Sequence, residues 1–262
     1  MAAAANFEFI KTSLADGIFT ITIARAGVHN ALHPPACREI GAALDWFESA
    51  PEAAVAIVTG EGEKAFCAGF DLKYADEHPE VYQDPLIGSE ITRRTTIGKP
   101  LIAAVNGLAL GLGFELALAC DLIVAASHAR FGLPEPRVGL AAMAGGVVRL
   151  TQQIGVKRAL AIILTSKMVT AEEGCHAGFV NEVAVEPLAA CARRWALSIA
   201  EGAPLSLLAS KEMAYRSADL ADLQTALNPR SYPAVLRLLA SEDAVEGRRA
   251  FLAGRKPHWR GR

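Results

Sequence analysis

KPLIAAVNGLALGLGFELALACDLIVAA, residues 99–126, decides how this chain is read. Between Leu101 and Ala126 the stretch carries only two charges, Glu115 and Asp121. It is long enough to span a bilayer. But Asn106, Gly107, Gly111, Gly113, Glu115 and Asp121 interrupt it, and a mid-membrane Asp costs roughly 2.5–3.5 kcal/mol. The stretch therefore reads as buried passages of a globular fold: a strand LIAAV (101–105), a loop NGLALGLG, a short helix FELALAC and a strand LIVAAS. A carboxylate without a partner is costly to bury, so Glu115 needs a reason to be there.

Outward from this stretch, IFTITIA (18–24) alternates and is β-branched, which predicts a strand. Pro34 and Pro35 open a helix through Ser49, with Ile40, Leu44 and Phe47 on one face. AVAIVT (54–59), ended by Gly60, predicts a buried strand, and FCAGFDLKY a Gly-containing bend before a helix. Helices are predicted over 86–98, 146–154 and 156–165. Thr170 and Glu173 have capping-box spacing. From Pro187 onward the chain reads as helix, broken near Gly202–Pro204 and Asn228–Pro229. Alternating strands and helices followed by helices alone predict an α/β core over 1–200 and a helical C-terminal segment over 201–262.

The chain has 262 residues, 52% of them hydrophobic and 21% charged, which excludes long disorder. A net charge of −2 gives no broad electrostatic affinity for nucleic acid or an anionic membrane. Five scattered cysteines without CxxC spacing read as reduced thiols of a cytosol-like compartment, so a cytoplasmic protein is expected. MAAAANFEF lacks the basic and apolar regions of a secretory signal. The six histidines show no metal spacing and read mostly as surface or loop residues.

Two carboxylates stand out. Glu115 follows the GLG turn by two residues and lies in the first turn of its helix. There it serves either as a helix-end acid, welcome at the positive end of the dipole, or as a catalytic group. Glu135, between two prolines in FGLPEPRVG, is either a surface acid paired with Arg137 or the second member of an acid–base pair. A strand over 121–127, returning towards the helix of Glu115, makes their meeting possible. The bends CAGFDL (67–72) and GLG (111–113) leave backbone N–H groups free to point at an anion. Cys67 beside the first bend reads either as a nucleophile or, far more commonly for its type, as a small buried apolar residue.

KAFCAGFDLK (64–73), the stretch 99–126 and FGLPEPRVGL (131–140) together resemble the enoyl-CoA hydratase/isomerase (crotonase) superfamily. The resemblance runs from ARAGVHNAL (24–32) to the ending SEDAVEGRRAFLAGRKPHWRGR. It implies a spiral of β-β-α turns with a helical trimerisation segment, assembled as a trimer or a dimer of trimers. It implies a CoA thioester as substrate and no metal or redox cofactor. The implied oxyanion donors are the backbone N–H groups of Phe70 and Leu112, and the implied catalytic acids are Glu115 and Glu135. Phe66, Ala68, Asp71, Leu72, Lys73, Gly111 and Met143 are the implied CoA and substrate contacts. The reaction implied is reversible syn hydration of a 2-enoyl-CoA, with Glu115 as base on the water and Glu135 exchanging the proton at C2.

Three positions depart from the family pattern. Leu112 stands where hydratases usually have Gly, and Leu disfavours a positive φ. Ala142 and Met143 stand where hydratases commonly have Pro-Gly, and the Asp of carnitinyl-CoA dehydratase-like relatives is absent at Met143. Other readings are a double-bond isomerase, a specialised carnitinyl-CoA-type dehydratase, and a non-catalytic member that binds CoA thioesters or RNA. The two glutamates favour hydration over the non-catalytic class. A dinucleotide site is opposed by Leu116 at the third position of GxGxxG. The basic tail GRKPHWRGR reads as solvated, or as a contact for CoA phosphates or a neighbouring subunit.

Overall fold

Three times along the chain a strand of one sheet is followed by a short strand of a second sheet and then by a turn or helix. The computed structural model describes residues 7–83, 92 and 98–262. The chain opens with β1 (Ile10–Ala15) and β2 (Ile18–Ile23), an antiparallel hairpin. Its turn residues Asp16 and Gly17 both have positive φ, 51° and 74°, which matches the right-handed twist of the flanking strands. Helix α1 (Pro34–Ser49) buries Ile40, Leu44 and Phe47, the predicted face.

The repeating unit then begins. β3 (Val55–Gly60) leads to β4 (Ala65–Cys67) and α2 (Leu72–Glu77). β5 (Leu101–Val105) leads to β6 (Leu108–Leu110) and α3 (Leu112–Ala119). β7 (Leu122–Ala126) leads to β8 (Arg130–Gly132), the 3-10 turn Glu135–Val138 and α4 (Gly146–Ile154). Next come α5 (Val156–Thr165), β9 (Val169–Thr170), α6 (Ala171–Ala177), β10 (Glu182–Ala184) and α7 (Leu188–Ala200). Thr170 and Glu173 form the reciprocal capping box.

Among the described residues the strands make a six-stranded sheet, ordered β1-β2-β3-β5-β7-β10, and a four-stranded sheet, ordered β4-β6-β8-β9. The larger sheet is parallel apart from β1, and β5 is buried at every position, as expected of parallel strands covered on both faces. Phe114, Phe131 and Phe179 meet with ring centroids 5.2–5.3 Å apart.

The structure corrects the sequence reading in several places. The segment read as the loop NGLALGLG contains β6, too short to show an apolar period. β1, β4, β8, β9 and β10 were likewise not anticipated as strands. The helix expected over 86–98 falls outside the described residues except at residues 92 and 98. His33 is buried at the start of α1, where its Nδ1 accepts the Ala36 N–H. All five cysteines are free, and Cys175 alone among them is exposed. No helix among the described residues is long and apolar enough to cross a membrane.

The chain divides into two compact units, one running to Ala196 and the other comprising Leu197–Arg262 with residues 98–100. The second holds α8 (Pro204–Arg216), α9 (Leu223–Ala226), α10 (Pro233–Leu239) and α11 (Glu242–Leu252). Its small core contains Ala209, Tyr232, Ala234 and Val235, and the Tyr232 hydroxyl donates to Ala226 O at 2.6 Å. The basic tail is not simply solvated. Buried Asp243 accepts the N–H groups of Arg260 and Gly261, and Trp259 Nε1 donates to Glu201 O.

Candidate active site

The four-stranded sheet brings the candidate residues together. β4 pairs in parallel with β6, and β6 with β8. All three strands therefore end on the same side. β4 delivers Phe70, β6 delivers Leu112 and Glu115, and β8 delivers Glu135. The meeting of the two glutamates comes from this β6–β8 pairing, and not from the strand over 121–127 as the sequence suggested. The Gly111 N–H donates to Gly132 O at 3.0 Å, which locks the two strand ends in register.

Gly111 has φ 50° and ψ −125°, a backbone conformation that disfavours side chains. A Cβ at this position would also stand 2.8 Å from Glu135 Oε1. The left-handed residue of the turn is thus Gly111, while Leu112 is the first helical residue of α3 and has no positive φ. This resolves the conflict that Leu112 posed against the family pattern. In the first turn of a helix the N–H groups have no intrahelical acceptor. The Leu112 N–H is accordingly free among the described residues.

The Phe70 N–H is also free among the described residues, although its neighbours are all engaged. Ala68 N–H donates to His29 O, Gly69 N–H to Cys67 Sγ, and Asp71 N–H to Leu32 O. The two turns lie against each other: a Cβ at Gly69 would stand 3.0 Å from Leu110 O and 3.8 Å from Gly111 Cα.

Glu115 is 3% exposed, and its Oε1 accepts the Gly146 N–H at 2.8 Å. It lies in the first turn of α3 but makes no side-chain cap there. Burial pushes its carboxyl up to about 7, and the charge of Glu135 adds to the rise. The Gly146 and Ala144 N–H groups and the Arg149 charge oppose it. Gly146 went unnoticed in the sequence. Its signal was the Gly pair of AGG directly before a helix, and a Cβ there would meet Glu115 Cγ at 2.7 Å.

Glu135 is half-buried, and its Oε2 is inaccessible with no hydrogen-bond partner among the described residues. Burial raises its carboxyl above the ordinary value, against its own backbone N–H. The alternative pairing with Arg137 is not made, since Arg137 Nη2 donates to Thr165 O. Both carboxyls are therefore raised, and the charge of Glu135 is one of the causes at Glu115.

The other candidates are distributed as follows. A cavity of about 390 Å³ is lined by Leu72, Ala75, Asp76, Pro79, Val138 and Leu140. Leu112 and Met143 are not among its walls; Met143 is exposed and Leu112 buried. Lys73 is exposed and Ala68 half-buried, both open to a ligand. Phe66 is fully buried and offers no surface for contact. Asp71 is engaged by Arg25 at 2.9 Å and by the Tyr74 N–H. Cys67 is fully buried, and burial pushes its thiol up to about 12, far from a reactive thiolate.

Comparison with known proteins agrees with this geometry. Residues 13–262 match the family model described as enoyl-CoA hydratase/isomerase. A carnitinyl-CoA dehydratase of Salmonella arizonae is 40% identical over 263 residues, covering 97% of this chain and 99% of that protein. The solved enoyl-CoA hydratase of Bacillus anthracis superposes with a TM-score of 0.89 at 32% identity, covering 97% of this chain and 100% of that one. The solved subunit I from Geobacillus kaustophilus gives 0.90 at 39% identity, with coverage of 98% and 100%. With its strand-end acids, its two open N–H groups and these relatives, the chain belongs to the enoyl-CoA hydratase/isomerase family and has the crotonase fold.

Proposed function

We propose that this protein is an enoyl-CoA hydratase that adds water reversibly, in syn fashion, across C2–C3 of a 2-enoyl-CoA to give the 3-hydroxyacyl-CoA. The observation that carries the reading is the placement of Glu115 and Glu135 on neighbouring strand ends, beside the free N–H groups of Phe70 and Leu112. The thioester oxygen accepts both N–H groups. Water held between the Glu115 carboxylate and the Glu135 carboxylic acid attacks C3 while Glu115 takes its proton. Charge moves through C2 onto the thioester oxygen as an enolate. Glu135 then delivers a proton to C2, and the proton on Glu115 restores the pair. Removing one such donor typically costs about 2.7–4 kcal/mol of transition-state stabilisation. CoA enters as part of the substrate. The cavity between α2 and the turn after Glu135 takes the acyl end in this reading.

Asp76 favours a second reading, since it is the one charged side chain among the described residues that line the cavity. A carboxylate there suits an acyl group that ends in a cation, as in a carnitinyl-CoA-type dehydratase. The test is ultraviolet loss of the conjugated thioester on crotonyl-CoA, longer 2-enoyl-CoAs and 4-trimethylammonio-2-butenoyl-CoA. The control is the Glu115→Gln/Glu135→Gln double variant. Loss in wild type alone, with 3-hydroxyacyl-CoA as product, supports hydration. A preference for the cationic thioester that Asp76→Asn abolishes supports the second reading. Binding without loss on any thioester refutes both.

A further inference from the structure

The turn that carries the Phe70 N–H is laced to residues 29–32 on both sides. Ala68 N–H donates to His29 O at 3.0 Å, Leu32 N–H to Gly69 O at 2.8 Å, and Asp71 N–H to Leu32 O at 2.8 Å. His29 and Asn30 both sit at positive φ, 53° and 57°. The strained pair is held from below: buried Asn30 donates to Glu61 O and Ala65 O and accepts the Arg25 N–H. One side chain spans the whole lacing. Arg25 Nη1 donates to Ala31 O, and Nη2 donates to Asp71 Oδ2 at 2.9 Å. The two side chains are only 14% and 12% exposed. Asp71 Oδ1 accepts the Tyr74 N–H and so caps α2 at the same time. The guanidinium lies over the Phe9 ring at 5.6 Å, and His33 meets Phe9 and Tyr74 edge-on.

We infer that Arg25 and Asp71 are positioning residues that aim the Phe70 N–H at the thioester oxygen, clamping the turn on both sides of that single free donor. The inference rests on the proposed oxyanion role of Phe70. It also gives Asp71, expected as a CoA contact, a different task. An ion pair partly withdrawn from water is a poor source of net stability, because desolvation offsets its attraction. Its charge-assisted hydrogen bonds are short and directional, which suits them to holding a backbone group in place. The N–H groups of Ala68 and Asp71 go to residues 29–32 and that of Gly69 to Cys67 Sγ, while that of Phe70 has no partner among the described residues.

The test uses Asp71→Asn and Arg25→Lys. Asp71→Asn keeps an oxygen for the Tyr74 N–H, so it separates the ion pair from the helix cap. Arg25→Lys keeps the charge and removes the two-pronged contact. Both are assayed where circular dichroism shows them folded. We expect kcat to fall roughly ten- to a hundredfold with KM within about twofold, as for a misaimed catalytic group. The second readout is the infrared stretch of carbonyl-13C butyryl-CoA, a saturated thioester that binds without reacting. Its band is expected to move to lower frequency in wild type and to move less in both variants. Wild-type kcat with an undiminished carbonyl shift overturns the inference. A rise in KM with kcat and carbonyl shift unchanged also overturns it and returns Asp71 to ligand binding. If wild type hydrates nothing, the hydratase reading fails while the carbonyl shift still scores the clamp. A bound thioester with no shift in wild type overturns the clamp and the oxyanion hole together.

Discussion

In the six-stranded sheet β1, β2 and β3 run six residues each, and β5 and β7 five. In the four-stranded sheet β4, β6 and β8 run three residues each and β9 two. The larger sheet supplies core: Ile21, Ile23, Val55, Ile102 and Val105 are fully buried. The smaller sheet supplies ends: each of its three parallel strands runs directly into a turn that carries a candidate catalytic group. A long strand acts through the area it buries, and a three-residue strand through where it stops. A slip of one residue in β6 against β8 moves Glu115 by about 3.3 Å relative to Glu135 and turns its side chains to the other face.

This contrast can be broken from either side. The largest effect is expected at the strand ends: Glu115→Gln or Glu135→Gln should lower kcat by roughly 10²–10⁴-fold with the fold intact. Turnover near the wild-type level would remove that residue from the mechanism. In the larger sheet, Ile21→Ala should cost about 2–5 kcal/mol in urea unfolding, with kcat per folded molecule unchanged. A specific loss of kcat there would erase the division between the sheets.

Glu115 itself sharpens the contrast, because it is a buried acid where packing alone favours an apolar residue. Its carboxyl is raised to about 7 from an unfolded value near 4.5. The folded state therefore holds a proton that the unfolded state has already lost, and stability declines as pH rises between those values. Glu115→Gln should accordingly stabilise the protein by on the order of 3 kcal/mol at pH 8 and by little at pH 4.5. Melting curves at the two pH values check this, and an equal shift at both refutes it. The same rise predicts that kcat/KM climbs as pH passes through about 7, where Glu115 becomes the base.

The smallest effect is expected at the β6–α3 turn. Gly111→Ala places a side chain at φ 50° and 2.8 Å from Glu135 Oε1, and a side chain held in a sparsely populated positive-φ region costs roughly 1–3 kcal/mol. We expect a lower kcat alongside modest destabilisation, measured by the hydration assay and by thermal melting. Full activity with unchanged stability would show that the turn tolerates other geometries.

Legibility in the sequence follows the same division. The face of α1, the strands β2, β3, β5 and β7 and the capping box of α6 were all readable, because each depends on apolar period or turn chemistry within a few residues. β6 and β8 were not readable, since three residues carry no period. Of the site, Glu115 stood out as an acid in an apolar run, and Glu135 as an acid between prolines. Gly146, Ala144 and Arg149 did not, because they reach Glu115 only through the folded chain. Nor did the Arg25–Asp71 pair, whose partners lie 46 residues apart.

The sequence by itself determined the fold class, the helical C-terminal third and the identity of the two acids and two turns, since local apolar pattern, glycine placement and residue type carry that information. Only the tertiary structure decided that β4, β6 and β8 end side by side, that Gly111 takes the left-handed conformation in place of Leu112, and that Glu115 titrates near neutrality. These are products of strand register and of burial among distant residues, and neither exists until the chain has folded.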